Sequence, residues 1–333
     1  MEFDVVGIGN ALVDIEVRVE DDFIESLGVV KGGMTLSTVD DQKKILKAVT
    51  DKPKKVSSGG SAANTVHGIG AMGAKGYYLG RVADDDYGRH YTEDMRTCGV
   101  GFPGPDGAPD GTGTCVVLIT PDSERTMFTH LGISSQLHPD NVDEAIIDKC
   151  GTVYIEGYLW TGEETKQAAE KMADIAKKAS VPVSFTLSDA FIANSYRDAL
   201  IDFIRWKVDI LFCNDVEACA MFQTDDTEYA FQQLRGMVDT LFLTRGKEGA
   251  WASNLENEKV VIGSFPVDAV DTTGAGDLFA GGALFGLARF LPLKDAAILG
   301  SYCAAQVVRH MGARLPSSAI ASVEHILNRY PGP

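Results

Sequence analysis

Two aspartates enclose a run of small residues near the carboxyl-terminal end of the chain: Asp271-Thr272-Thr273-Gly274-Ala275-Gly276-Asp277. The small and apolar residues that follow, Leu278 to Leu284, predict a helix. A glycine-rich turn at a helix start leaves backbone N–H groups unpaired, and the helix dipole adds partial positive charge there. We therefore expect this turn to bind an anion such as phosphate. Beside phosphate, the carboxylate of Asp277 suits the removal of a proton from an attacking hydroxyl, although the pattern is also typical of a simple capped helix.

Further polar residues follow predicted strands in the amino-terminal half of the chain. Asn10 comes directly after a buried strand over residues 3–9, and Asp14 begins a half-exposed strand over residues 14–19. A carboxylate can accept hydrogen bonds from two neighbouring hydroxyls, so Asp14 is a candidate ligand for a diol. The alternative is an aspartate at a strand end that faces water. The glycines of Gly7-Ile8-Gly9 do not make a dinucleotide-binding fingerprint, because the third glycine of that motif is replaced by Leu12.

The segment 271–277, followed by Phe279 and Gly281-Gly282, resembles the second signature of the ribokinase (PfkB) family of sugar and nucleoside kinases. The segment Gly59-Gly60-Ser61-Ala62-Ala63-Asn64 resembles the first signature of that family. The resemblance covers nearly the whole chain. It implies a kinase that uses ATP, with Asp277 as the catalytic base and the amides of Gly274, Ala275 and Gly276 as the anion hole.

The resemblance also implies positions for the acceptor. Asn10 and Asp14 would lie at the sugar, and Asp14 would accept hydrogen bonds from two of its hydroxyls. Gly59 and Gly60 allow close approach of the substrate to the backbone, and Asn64 can donate and accept toward a ribose hydroxyl. Arg125 lies in a predicted hairpin. It corresponds to an arginine that, in adenosine kinases of this family, reaches the transferring phosphate. An arginine at a hairpin tip in water is the alternative.

Positions for the donor and for metal ions come from the same resemblance. Asn214 and Glu217 match a motif that organises Mg²⁺ and its waters, and Mg²⁺ needs few direct protein ligands. They equally make a helix cap with an acid in the first turn. Thr244, Gly246 and Gly249 match the turn at the nucleotide phosphates. Asp271 and Thr273 match positions where many family members hold a monovalent cation, which would be K⁺ here.

Several stretches are more similar to the adenosine kinases of this family than to ribokinase itself. This implies transfer of the γ-phosphate to the 5′-hydroxyl of a nucleoside, with adenosine as the first candidate. Five residues would line the wall beside the base, although each could equally belong to the core: Met34, Leu36, Cys115, Leu131 and Tyr158. The alternatives are a PfkB-type kinase of ribose, fructose or a related free sugar, and a non-catalytic purine-binding protein.

The elements that must position these residues are read from the periodicity of apolar residues. From about residue 139 onward, short apolar runs alternate with amphipathic helices, which predicts parallel strands joined by crossover helices. We expect a single ribokinase-like domain over residues 1–333, with three α/β/α layers and a mainly parallel central sheet. Extended segments within 12–38 and 112–132 break this rhythm and predict a small β-sheet lid. Residues 57–61 are expected to form a loop.

Composition narrows the range of partners. A formal net charge of −17 argues against non-specific binding to nucleic acid or to an anionic membrane. The six cysteines are scattered without metal-binding spacing, which favours reduced thiols. No signal peptide or membrane span is expected, so the predicted location is the cytoplasm. The predicted partners are therefore small molecules, and the chain would act as a monomer or a homodimer.

Overall fold

The computed structural model describes residues 1–107, 110–256 and 259–329. Within these residues the strands form two separate sheets. The strands are β1 Phe3–Ile8, β2 Leu12–Arg18, β3 Met34–Leu36, β4 Lys54–Gly59, β5 Gly76–Leu79, β6 Gly113–Ile119, β7 Arg125–His130, β8 Cys150–Glu156, β9 Val183–Thr186, β10 Ile210–Asn214, β11 Thr240–Thr244, β12 Ala250–Asn254 and β13 Val260–Ile262.

The α-helices connect these strands or cover the faces of the sheets. They are α1 Asp21–Leu27, α2 Val39–Ala48, α3 Ser61–Ala71, α4 Asp86–Thr97, α5 Glu144–Ile147, α6 Glu163–Lys178, α7 Ala190–Ser195, α8 Arg197–Lys207, α9 Asp215–Phe222, α10 Thr227–Arg235, α11 Ala275–Leu287, α12 Leu293–Val307 and α13 Ser317–Arg329. No helix of the described residues is both long and apolar enough to cross a membrane.

The larger sheet forms the centre of the molecule. Its order is β13-β12-β11-β10-β9-β8-β1-β5. The pairs from β5 to β11 are parallel, and β12 and β13 add an antiparallel edge. Helices α3, α11 and α12 contribute to the core on one face, and α6, α8 and α10 contribute to the core on the other. The predicted three-layer α/β/α fold with a mainly parallel sheet is confirmed.

The smaller sheet lies outside this body and has the order β3-β7-β6-β2-β4. Strand β4 lies outside the two segments from which a lid was predicted. The expected loop at 57–61 is wrong except at Gly60, because β4 runs to Gly59, with Leu12 of β2 opposite Gly59 in an antiparallel pair, and α3 begins at Ser61. The glycine and serine composition suggests a loop, but the ladder to β2 overrides this local preference.

Two contacts join the small sheet to the loop that precedes α11. The turn between β6 and β7 carries Ser123, whose Oγ donates to the carbonyl of Ala269 at 3.3 Å. The carbonyl of Ser123 accepts a hydrogen bond from Thr272 Oγ1 at 3.2 Å. The outer face of the sheet is covered by α1 and α2 around an apolar cluster that includes Val17, Ile24 and Phe128. The hairpin tip of the small sheet therefore rests on the loop beside the predicted anion hole.

Candidate active site

A cavity opens where the carboxyl-terminal ends of the parallel strands meet the small sheet, which is the usual ligand site of an open α/β sheet. Most of the predicted site residues line it together: Asn10, Asp14, Met34, Leu36, Gly60, Asn64, Cys115, Arg125, Leu131, Tyr158, Asn214, Glu217, Thr273, Gly274, Ala275, Gly276 and Asp277. An adjoining cavity contains Thr244 and shares Asn214, Glu217 and Asp277 with the first. Gly59, Gly246, Gly249 and Asp271 line neither cavity among the described residues.

Asp277 lies in the first turn of α11, and two side chains of α3 hold its carboxylate. Ser61 Oγ donates to Oδ1 at 2.7 Å, and Asn64 Nδ2 donates to Oδ2 at 2.8 Å. Burial raises the pKa of Asp277, while these two hydrogen bonds and the positive charges of Arg125 and Arg314 oppose the rise. The carboxylate is thus fixed in direction and faces the cavity, as a general base requires.

The predicted anion hole is the amino-terminal end of α11. Gly274 is its N-cap with φ 75°, and an added Cβ would come within 2.5 Å of Ala313, so this position requires glycine. A Cβ on Gly276 would meet open space, so a ligand can approach the backbone there. The amide of Ala275 donates to the carbonyl of Thr272 at 3.2 Å, a long hydrogen bond that an anion could replace.

Asp14 lies on β2 and is buried against Gly59. A Cβ on Gly59 would lie 2.2 Å from the carboxylate of Asp14, so glycine at position 59 makes room for this side chain. Burial and the neighbouring Glu16 raise the pKa of Asp14 to about 7, against the opposing charges of Arg125 and Arg314. A hydroxyl donor would stabilise the ionised form, which suits Asp14 to bind a diol.

The small sheet supplies the remaining wall of the cavity. Met34 on β3, Cys115 on β6 and Leu131 after β7 give it an apolar surface, and Leu36 at the rim is 51% exposed. Arg125 also lines the cavity and makes no ion pair among the described residues. The nearest partner of its guanidinium is the sulfur of Met127, at 3.9 Å. An unpaired guanidinium in a cavity is suited to an anionic ligand.

Asn214 and Glu217 form a reciprocal cap at the start of α9. The amide of Glu217 donates to Asn214 Oδ1 at 2.7 Å, and Asn214 donates to the Glu217 carboxylate from its backbone and side chain. Glu217 is 6% exposed, and burial raises its pKa to about 8. A buried carboxylate with only neutral donors gains from a nearby cation, so the pair is compatible with a hydrated Mg²⁺.

Thr244 ends β11 directly beside Asn214 on β10. The turn that follows is closed by the amide of Arg245, which donates to the carbonyl of Gly249 at 2.8 Å. Gly246 and Gly249 both have positive φ, at 51° and 90°. The turn that contains these two glycines, which are predicted to lie at the nucleotide phosphates, therefore begins at the edge of the second cavity.

Asp271 is fully buried and is hydrogen-bonded to residues of two loops. Its Oδ1 accepts hydrogen bonds from the amide and hydroxyl of Thr273, and its Oδ2 accepts from the amide of Gly312 at 2.7 Å. The negative charge of Asp271 contributes to raising the pKa of the buried Glu16 on β2 to about 7, although burial is the main cause. Oδ2 of Asp271 connects the loop before the anion hole to the loop after α12.

Ser61, Glu156 and Arg314 are among the residues at the site that were not assigned a role from the sequence. Ser61 lies inside the Gly59–Asn64 segment, and its hydroxyl donates to Asp277. Glu156 ends β8, and its carboxylate accepts from the amides of Asn10 and Ala62, both at 2.8 Å. An acid at the end of an apolar strand was a usable signal for Glu156. Arg314 contacts Asn64 across 250 positions of sequence, and no local pattern indicates such a contact.

Comparison with known proteins agrees with this geometry. The model of the pfkB family of carbohydrate kinases matches residues 29–320. The structure of an adenosine kinase from Sinorhizobium meliloti has a TM-score of 0.93 and 35% identity, covering 98% of this chain and 100% of the other. A probable sugar kinase from Rhizobium etli has the same score and identity, with 97% and 98% covered. The adenosine kinase of Saccharomyces cerevisiae is 27% identical over 95% of this chain and 98% of its own.

The matched segment contains the anion-hole turn and Asp277, and the cavity places that carboxylate beside the predicted acceptor and nucleotide residues. Members of this family are phosphotransferases that act on hydroxyl groups, with ATP as the donor. The chain belongs to the pfkB family of carbohydrate kinases and is a phosphotransferase with an alcohol group as acceptor.

Proposed function

We propose that this enzyme transfers the γ-phosphate of ATP to the 5′-hydroxyl of adenosine. The observation that carries this proposal is the position of Asp277, which is held by Ser61 and Asn64 in the same cavity as Asp14. Adenosine as acceptor is supported by the similarity to the adenosine kinases of S. meliloti and S. cerevisiae. The apolar wall from the lid offers a surface for a purine, whereas a free sugar has no comparable apolar part.

In the proposed reaction, Asp14 accepts hydrogen bonds from the ribose hydroxyls and thereby directs the 5′-hydroxyl toward Asp277. Asp277 removes the proton of the 5′-hydroxyl while the 5′-oxygen attacks the γ-phosphorus. The bond from the γ-phosphorus to the bridging oxygen breaks, and ADP leaves. The amides at the start of α11 and the guanidinium of Arg125 stabilise the negative charge on the transferring phosphoryl group.

The site residues also suit two kinds of cation. Asn214 and Glu217 would hold the waters of Mg²⁺, which neutralises charge on the nucleotide phosphates when it is bound. Asp271 and Thr273 would lie beside a monovalent cation such as K⁺. The region holds the buried carboxylates of Asp271 and Glu16, and the ammonium of Lys55, 3.9 Å from Glu16, supplies one positive charge there. Activity should disappear on chelation of Mg²⁺ and should rise when K⁺ replaces a bulky organic cation.

A kinase of a free sugar is the second candidate. The similarity to the probable sugar kinase of R. etli, equal in score and identity to that of the S. meliloti enzyme, favours it. The same Asp14 would hold two hydroxyls of a sugar ring, and the apolar wall would then contact no base.

An acceptor panel separates these functions. Adenosine, inosine, guanosine, ribose and fructose are each supplied with ATP and Mg²⁺, and ADP formation is measured. We expect the highest kcat/KM with adenosine. Turnover of ribose or fructose alone would replace the nucleoside proposal with the sugar proposal, and nucleoside binding without ADP formation would indicate a purine-binding protein.

We propose that the chain acts as a monomer in the cytoplasm, as one domain with the small sheet as its lid. Lys54 and Lys55 lie on the outer strand β4 of the lid, and lysines on an edge strand discourage pairing between sheets of two copies. The six cysteines are unpaired thiols, as expected in a reducing compartment. Sedimentation equilibrium would test the monomer, since a dimer that persists at micromolar concentration would contradict it.

A further inference from the structure

Arg314 connects three parts of the molecule that are distant in sequence. It lies in the loop between α12 and α13, and its side chain is 18% exposed. Its Nη1 donates to Asn64 Oδ1 on α3 at 2.6 Å. Its Nε and Nη2 both donate to Asp94 Oδ2 on α4, at 3.3 and 3.0 Å. The guanidinium is therefore held by a charged partner on one side and reaches the amide of Asn64 on the other.

This contact decides the direction of the Asn64 amide. The oxygen and nitrogen of an asparagine amide are nearly equal in size, so only their partners distinguish the two orientations. Because Oδ1 accepts from Arg314, Nδ2 must point away from Arg314, and it donates to Asp277 Oδ2 at 2.8 Å. An Asn64 amide in the opposite orientation would turn its oxygen toward the carboxylate of Asp277 and repel it.

We propose that Arg314 is a positioning residue of the phosphoryl transfer, which acts through Asn64 to hold the carboxylate of Asp277 in line with the attacking hydroxyl. Asp94 completes the device by fixing the guanidinium. This inference rests on the proposed role of Asp277 as the base. It concerns a residue outside both cavities, since Arg314 lines neither of them.

The charge of Asp94 supports the arrangement. Although burial opposes ionisation, the imidazole of His67, whose Nε2 lies 3.7 Å from Asp94 Oδ1, and the positive charge of Arg314 hold the pKa of Asp94 below its usual range. Asp94 therefore stays negative at neutral pH and retains its ion pair with Arg314. Arg314 also opposes the rise in the pKa of Asp277, so removal of this cation should make the base easier to protonate.

The main variant is Arg314→Met, which keeps a long side chain but removes every donor. We expect kcat to fall by about 10 to 100-fold, because a small misplacement of a reacting group has effects of that order. The KM for the acceptor should change by less than about threefold, since Arg314 does not touch the cavity. The matched control is Arg89→Met, which removes an exposed arginine paired with Asp84 and Asp86 at the start of α4.

A double-mutant cycle with Asn64→Ala tests the route of the effect. If Arg314 acts through Asn64, Arg314→Met should have little further effect on kcat in the Asn64→Ala background. Additive effects, or a kcat within twofold of the wild type for Arg314→Met, would overturn the proposal and leave Arg314 as a structural contact between α3 and α4. Should Arg314→Met fail to fold, Asp94→Asn serves as the second variant, with a smaller fall in kcat expected.

The pH dependence of kcat/KM gives a readout that a merely structural contact would not change. The acidic limb should move to higher pH in Arg314→Met and should stay near its original position in Arg314→Lys, which keeps the charge. An unchanged limb in Arg314→Met would count against the proposal. The other charged or titratable groups that face Asp277 keep their side chains in both variants: Asp14, Arg125, Tyr154, Glu156, Tyr158 and Glu217. Loss of the Arg314 charge also raises the pKa of Asp14, in the same direction as that of Asp277.

The wild-type acceptor panel is measured first, so that failure of the two proposals can be told apart. If no acceptor is phosphorylated, the proposed function itself fails. If Asp277→Asn keeps full turnover, the role of Asp277 as the base fails, and the positioning role of Arg314 fails with it. If the wild type is active and Asp277→Asn is not, a normal kcat in Arg314→Met refutes only the positioning role.

Discussion

The two sides of the active-site cavity are built differently. The side that carries Asp277 belongs to the central body, where side chains and amides of α3, α11 and β8 are connected by hydrogen bonds of 2.7 to 2.8 Å. The side that carries Met34 and Leu36 belongs to the small sheet, proposed as a lid, where β3 is a three-residue strand at the sheet edge and Leu36 is half exposed. The difference teaches that the proposed base and anion hole are fixed by the body, while the wall proposed for acceptor choice is the adaptable part.

The largest expected effect comes from the body side. Asp277→Asn keeps the shape of the side chain but removes the base, so kcat should fall by about 10² to 10⁴-fold. Affinity for ATP, measured by calorimetry, should stay within a few fold. Near-normal turnover in this variant would remove Asp277 from the mechanism. It would also mean that the base is not fixed by the body side of the cavity.

The next effect comes from Arg125, the residue of the small sheet proposed to contact the transferring phosphoryl group. Arg125→Met removes the guanidinium that faces the cavity, so kcat should fall by about 10²-fold. Arg18→Met, an exposed arginine at the end of β2 in the same lid, is the control and should keep normal kinetics. Equal kinetics of the two variants would show that Arg125 is only a surface residue.

A smaller effect is expected from the apolar wall. Leu131→Ala should raise the KM for adenosine by about 10-fold, the scale of a lost hydrophobic contact, with little change in kcat. Leu118→Ala is the control, because Leu118 is buried in the cluster on the other face of the lid. It should lower the melting temperature and leave the KM unchanged. A fall in kcat rather than a rise in KM for Leu131→Ala would mean that the wall also positions the reacting groups.

The smallest expected effect concerns stability. Burial raises the pKa of Asp14, Glu16 and Glu156 to about 7 and that of Glu217 to about 8. In the unfolded chain these groups have ordinary pKa values near 4, so the folded state binds protons more tightly between about pH 4 and 8. The protons bound to these buried acids stabilise the folded state at the acidic end of this range. This stabilisation is lost as the pH rises and the acids ionise.

The melting temperature of the ligand-free enzyme should therefore be lower at pH 8 than at pH 5.5, by about 5 °C. Differential scanning calorimetry would measure it. Glu16→Gln on the lid strand β2 should reduce this pH dependence, because an amide does not titrate. A melting temperature that rises toward pH 8 would contradict the assignment of these buried acids.

The sequence predicted the body side well because its signals are local. The periodicity from residue 139 onward gave the parallel sheet, and the turn at 271–277 predicted the start of α11. The interactions that hold Asp277 could not be derived in the same way. Ser61 and Asn64 reach it across more than 200 positions, and Glu156 and Arg314 act through contacts that no spacing in the chain records.

The lid was harder to predict for a different reason. Strand β4 has a loop-like composition and exists because β2 offers it a partner. The helix α1 between β2 and β3 has only seven residues, too few for a clear helical period. Short elements of this kind depend on tertiary contacts, so their positions follow from the folded sheet rather than from local propensity.

The contact of Ser123 with Ala269 and Thr272 has a consequence for the timing of catalysis. Since the hairpin tip is hydrogen-bonded to the loop that precedes α11, movement of the small sheet would break these two hydrogen bonds beside the amides proposed to receive the phosphoryl group. An enzyme whose lid stands open would then hold ATP without a completed phosphate site. We expect such a coupling to keep hydrolysis of ATP by water slow until an acceptor has entered and the hairpin has settled.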